Sequence, residues 1–161
     1  MLTLTSEYAL RAMIYITQHE KDQPILGKHI AAQTNIPAKY LSKILGDLAR
    51  VGILESTRGP GGGFRMIRSP KEIALFDVLK AFEQFDRKRC PFGNQECSDA
   101  NPCKAHIEWK KVIEAEQRFL MENTLDDIAR KGDGTPHESS TPGNERLTEI
   151  RVDLSSSSDH G

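Results

Sequence analysis

Ile53-Leu54-Glu55-Ser56-Thr57-Arg58-Gly59-Pro60-Gly61-Gly62-Gly63-Phe64-Arg65-Met66-Ile67 carries the topology of this chain. Ile53–Ser56 and Gly63–Ile67 read as two short strands, and the glycines and proline between them are turn formers. The stretch is therefore a hairpin. Upstream, Pro37 suits a first helical position and opens a helix reaching about Val51, with Gly52 as its stop. Its apolar set is Tyr40, Leu41, Ile44, Leu45 and Leu48, leaving Lys39, Ser42, Lys43, Asp47 and Arg50 outside. A shorter helix from Gly27 to about Thr34 precedes it, across the turn Asn35-Ile36-Pro37. Two helices joined by a tight turn are a helix-turn-helix or an ordinary three-helix cluster; a hairpin directly after them favours a winged helix. A glycine-rich nucleotide cradle would end in Gly-Lys-Ser/Thr and open a helix, and this loop opens a strand.

The same pattern continues outward. A first helix spans Ser6 to about His19, capped by Thr5 or Ser6, with Glu7 in its first turn. After the hairpin, a helix from about Leu75 to Phe85 is expected to pack under the wing. Residues from about Ala105 to Glu122 form a long helix whose stripe Trp109, Val112, Ile113, Phe119 and Leu120 asks for a partner, most simply a second copy. Asn123–Ile128 reads as a capped short helix. The expected fold is mainly α, an α+β winged helix. Residues 1–86 would be the DNA-binding domain, 87–106 a cysteine-rich loop, 107–130 the dimerisation helix with its short end helix, and 131–161 a disordered tail.

The 161 residues suit one domain with appendages. Residues 1–72 hold ten Lys and Arg against six Asp and Glu, a modest basic excess that fits a nucleic-acid partner. No apolar run is long enough for a membrane span and no signal peptide opens the chain, so a soluble cytoplasmic protein is expected. An enzyme is not, because no nucleophile–base constellation is present. On double-stranded DNA, Lys28, Lys39, Lys43 and Arg50 would reach phosphates and base edges in the major groove, with Tyr40 and Ser42 on the same helix. Arg58 would enter the minor groove, and Gly59, Gly61 and Gly62 would let the wing backbone approach a phosphate.

All three cysteines, Cys90, Cys97 and Cys103, fall in one turn-rich stretch, separated by six and five residues, and His106 follows three residues on. Three thiols and an imidazole form a metal-holding clip, and an odd cysteine count argues against a disulfide framework. Iron–sulfur, zinc and unligated thiols all remain open on these residues.

Leu4-Thr5-Ser6-Glu7-Tyr8-Ala9-Leu10-Arg11-Ala12-Met13, Ile36-Pro37-Ala38-Lys39-Tyr40-Leu41 and Arg58-Gly59-Pro60-Gly61-Gly62-Gly63-Phe64 are the residues of a resemblance. They look like the bacterial winged-helix regulators typified by the iron–sulfur cluster assembly regulator IscR and the nitric-oxide-sensing repressor NsrR, over about residues 1–130. The resemblance implies a homodimeric repressor of promoter operators that responds to nitric oxide, redox stress or iron–sulfur status. It implies that Cys90, Cys97 and Cys103 ligate an iron–sulfur cluster. By the same resemblance His106 completes a 2Fe–2S site, or Glu7 of the other subunit a 4Fe–4S one; 2Fe–2S is favoured. Arg58 matches the wing arginine, while Lys39 and Lys43 stand where the assembly regulator has Ser and Gln. Long cysteine spacings suit an inorganic core better than zinc, which usually takes short Cys-x2–4-Cys knuckles. The competing expectations are a cluster-free thiol- or ligand-sensing regulator, a zinc-stabilised one, and an electron-transfer protein, which would have no use for the wing.

Overall fold

In the computed structural model, residues 2–85, 91–92, 99–100 and 102–130 are described. Cys90, Cys97 and the expected tail from residue 131 lie outside them. Three helices come first: α1 (Leu4–Gln18), α2 (Gly27–Thr34) and α3 (Ala38–Arg50). Strands β1 (Leu54–Thr57) and β2 (Gly63–Met66) pair antiparallel, Leu54 opposite Met66 and Thr57 opposite Gly63. Then come α4 (Leu75–Leu79), α5 (His106–Glu122) and α6 (Leu125–Ala129).

The expected winged helix is present. Asn35 adopts a left-handed φ of 54° between α2 and α3, where a short polar side chain is tolerated. Gly52, at φ 75°, ends α3. Leu41, Ile44, Leu45 and Leu48 recur at helical spacing and are all buried against Met13, Ile16 and Ile30. Ile25 exchanges both backbone hydrogen bonds with Phe64, at 2.9 and 2.8 Å, and so ties the α1–α2 connection to β2. Gln23 adds to that tie by accepting from Met66 N at 2.8 Å.

Several local expectations are corrected. Thr3, not Thr5 or Ser6, caps α1: its Oγ1 accepts from Ser6 N at 3.3 Å. Ser6 is instead drawn inside, where its Oγ donates to Glu83 Oε1 at 2.5 Å. Helix α4 stops at Leu79, short of Phe85, because Glu83 turns toward Thr3 and Ser6 and Phe85 folds back to place its ring 4.7 Å from that of Phe76. It packs against α1 and α5, not under the wing. Tyr40 is 62 % exposed and belongs to the outer face of α3, not its apolar set.

The chain after α5 returns to the reader. Leu75 N donates to Asn123 O and Leu125 N to Ile73 O, each at 2.9 Å, and α6 packs on α1 and is tied there by Gln18 Nε2 donating to Ala129 O. Leu120 and Leu125 are buried in the same core as Met13 and Leu45.

Candidate DNA interface and cysteine centre

The outer face of α3 carries Lys39, Tyr40, Ser42 and Lys43, all exposed and opposite the buried Leu41, Ile44 and Leu45. Arg50 is exposed too, but its Nη1 lies 2.8 Å from Asp47 Oδ1. Lys28 is exposed in the first turn of α2. Side-chain caps mark a difference between helices: Thr3 caps α1 and Thr124 caps α6, whereas no described side chain caps α2 or α3. Backbone N–H groups at such a start can bind an anionic oxygen. Beside the α2 start, Tyr15, His19, Lys28 and His29 line a cleft of about 560 Å³, with the Tyr15 and His19 rings stacked at 4.1 Å. His29 of α2 brings its ring within 6.3 Å of Tyr15 as well, so both histidines gather on one tyrosine where α1 ends and α2 begins.

The wing tip is a tight backbone turn. Gly62 N donates to Gly59 O at 2.9 Å, and Gly59 and Gly61 take φ of 92° and 76°. Gly59 and Gly61 face open space, while Gly62 is buried: a Cβ on it would stand 2.3 Å from Thr57 O. Arg58 is exposed at the tip's edge. Across the strands, Arg65 and Glu55 form an ion pair at 2.6 Å and leave the tip residues unencumbered.

Ahead of α5, Cys103 is half-buried and its carbonyl accepts from His106 N at 3.0 Å. His106 is the first residue of α5 and is only 6 % exposed. Its Nε2 lies 2.8 Å from Asp99 Oδ1, and Lys110 Nζ reaches both Asp99 oxygens at 3.0 and 3.1 Å. The hydrogen bond with His106, then Lys110, holds the Asp99 carboxyl below its ordinary range. Phe92 meets Trp109 of α5 edge-on at 5.5 Å. Glu7 is exposed in the first turn of α1. Cys90 and Cys97 lie outside the described residues, and among those described no three His, Cys, Asp or Glu side chains converge on a metal-sized point. The donor types do fit an iron–sulfur cluster: the described thiol is partly shielded from water, and the neighbouring imidazole is buried beside a carboxylate.

A helix-turn-helix followed by a glycine-tipped wing, with basic side chains outward, defines a winged-helix transcription regulator, a class that binds double-stranded DNA. The chain belongs to the Rrf2 family of iron-dependent transcriptional regulators, whose model matches residues 2–131. It is 32 % identical over 128 residues to the HTH-type transcriptional regulator IscR of Pectobacterium carotovorum, covering 79 % of this chain and 77 % of that one. To IscR of Yersinia pestis it is 32 % identical over 133 residues, covering 82 % and 80 %. Among solved structures it is similar to T. potens IscR (TM-score 0.65, 23 % identity, 80 % of this chain and 85 % of that one). It is also similar to CymR, the global cysteine regulator of B. subtilis (TM-score 0.69, 25 % identity, 83 % and 98 %). Among the described residues no helix is long and apolar enough to cross a membrane.

Proposed function

We propose that this chain is a homodimeric repressor, acting in the cytoplasm, whose operator affinity is set by an iron–sulfur cluster. Cys90, Cys97 and Cys103 would hold the cluster and His106 would complete it, with Glu7 of the second subunit as the alternative fourth ligand. The observation that carries this reading is the buried His106, hydrogen-bonded to Asp99 and placed one helical turn from Cys103. A nitrogen or carboxylate among thiolates makes a cluster easier to lose or modify, which is the chemistry a sensor needs.

On the DNA side, Lys28, Lys39, Tyr40, Ser42, Lys43 and Arg50 would face the major groove, and the uncapped starts of α2 and α3 would meet phosphates. Arg58 would enter the minor groove, with the backbone of Gly59 and Gly61 against its wall; the buried Gly62, expected there too, instead holds the turn beneath them. In a dimer the two copies of α3 would lie about 34–36 Å apart, one turn of the duplex. Helix α5 links the two functions. It starts at His106, beside Cys103, and its far end is fastened to α4 and α1 through Asn123, Leu125 and α6. A rearrangement at the cysteine loop would therefore tilt a rigid element that is bonded to the reader, altering the spacing of the two copies of α3.

The test is purification without oxygen, iron and sulfide counts, a visible spectrum, and operator binding of the wild type and Cys97→Ala. Cys97→Ala should lose the cluster absorbance and change operator affinity; unchanged affinity would overturn the coupling. A second reading, a cluster-free thiol sensor, is favoured by the likeness to CymR, named for cysteine regulation and also solved from Staphylococcus aureus in an oxidized form. Colourless, iron-free protein whose DNA binding responds to thiol oxidation would establish it.

A further inference from the structure

His106 and Asp99 meet by an arrangement that sequence spacing alone does not suggest. They stand seven positions apart, yet Asp99 lies at the first turn of α5, with its Oδ1 2.8 Å from His106 Nε2. Lys110 sits four residues after His106, so the two project from one face of the helix on successive turns. Asp99 bridges them, accepting from Lys110 Nζ with both oxygens. An ionised carboxylate can only accept hydrogen bonds, so the imidazole nitrogen facing it carries the proton. The Lys110 ammonium lies 3.0 Å from the other carboxylate oxygen and so holds Asp99 against this face of α5. Burial of His106 leaves the ring little freedom to turn away from this partner.

We propose that Asp99 is the positioning residue of the cluster site: by holding the Nε2 proton of His106 it fixes the ring and assigns iron ligation to Nδ1. The proposal rests on His106 being the fourth ligand. Metal-bound histidines generally donate their second ring N–H to a carboxylate or carbonyl, and loss of that partner weakens metal binding about 10–100-fold. Asp99 lies between Cys97 and Cys103 in sequence, so the same bond would also fasten the cluster loop to α5, the element that carries the signal.

The experiment uses the full chain carrying its cluster, reduced and examined by pulsed electron paramagnetic resonance, with histidine labelled with ¹⁵N at Nδ1 only or at Nε2 only. Directly bound nitrogen gives the larger hyperfine coupling. The strong coupling is expected from the Nδ1 label, absent in His106→Ala. A strong coupling from Nε2 would overturn the role of Asp99 while leaving His106 as ligand. A cluster coupled to neither label would remove His106 from the site, and a chain that assembles no cluster would overturn both readings. In parallel, Asp99→Ala should release iron to a chelator about 10–100-fold faster than wild type. Asp99→Asn, which still offers an acceptor to Nε2–H, should fall between them. Release from Asp99→Ala at the wild-type rate would overturn the proposal. DNA binding by the cluster-free forms is expected to be the same in all three, which separates a lost ligand geometry from a damaged fold.

Discussion

The wing and helix α5 depend on the rest of the chain in opposite ways. The wing is held by backbone: Ile25 pairs with Phe64, Gly62 turns under Thr57, and Gly63 lies against Ile25 with no room for a side chain. Helix α5 has 17 residues, of which only His106 and Leu120 are buried, while Ile107, Val112, Phe119 and Met121 are more than half exposed. The reader's shape is thus complete within one chain. That of α5 asks for something more, because apolar surface left to water this densely marks an interaction site. A DNA-binding regulator needs this division, with a rigid tool and a helix whose surroundings can change.

The sharpest way to break the comparison is at the wing. A Cβ at Gly63 would stand 2.5 Å from the Ile25 backbone, and φ there is 153°, which a β-branched side chain rarely adopts. Gly63→Val combines backbone strain with overpacking and should cost about 4 kcal/mol. Urea unfolding measures that cost. Operator affinity should fall with it, while the α5 surface is unaffected. A variant as stable as wild type would show that the wing is not locked to α1–α2 as described.

Neighbouring residues on α5 provide the next test. Leu120→Ala should lose about 3 kcal/mol of fold stability, because Leu120 is 3 % exposed in the reader's core. Phe119→Asp should leave the fold intact and weaken self-association about 100-fold, or about 2.7 kcal/mol, since Phe119 is 52 % exposed. Sedimentation against concentration separates the two. If both variants only unfold, α5 has no partner-facing side.

How much of this was legible in sequence depends on how far each signal reaches. The wing glycines, the stop at Gly52 and the burial of Leu41, Ile44, Leu45 and Leu48 were readable because turn chemistry and helical period are local. The α1 cap was misplaced because Ser6 is drawn inward by Glu83, 77 residues away, and no local rule shows that. The stripe on α5 was seen, but periodicity does not tell which apolar residue meets its own core and which meets another chain. Leu120 lies in the chain's own core, and its neighbour Phe119 is half exposed. At the site, spacing marks Cys103 and His106, whereas nothing in the local sequence marks Asp99. Its contact with His106 is made in three dimensions, and composition does not encode it.

Glu83 joins the first helix to the segment leading into the cysteine loop, and it makes the comparison sensitive to pH. Burial raises its carboxyl, but the hydrogen bonds from Ser6 and Thr3 outweigh that and leave it below its ordinary value of 4.5. A carboxylate lowered on folding stabilises the protein fully above its unfolded value, and the gain is lost as pH falls through the folded one. Wild type should therefore exceed Glu83→Gln in thermal midpoint at pH 7, and the gap should close as pH drops below about 4.5. A gap independent of pH would mean that packing, not charge, holds α1 to this segment.

The smallest expected effect lies within the reader. Arg50 and Lys43 are both exposed on α3, yet Arg50 is engaged by Asp47 at 2.8 Å. That pair is exposed on the arginine side and contributes little to stability, but it holds the guanidinium along the helix and offsets its charge. Approach to a phosphate would require exchanging one carboxylate contact for another anion, so little net attraction is gained. Lys43 lies nearer the start of α3, on the turn after Lys39 and Tyr40, where a recognition helix meets base edges. Arg50→Ala should thus weaken operator binding by no more than about twofold, and Lys43→Ala by about tenfold or more, equivalent to about 1.4 kcal/mol. The salt dependence of binding sharpens the distinction, because a residue that neutralises a phosphate lowers the slope by about one when removed. A full unit of slope lost in Arg50→Ala would show that Asp47 releases the arginine to DNA, and that the basic face of α3 extends to its last turn.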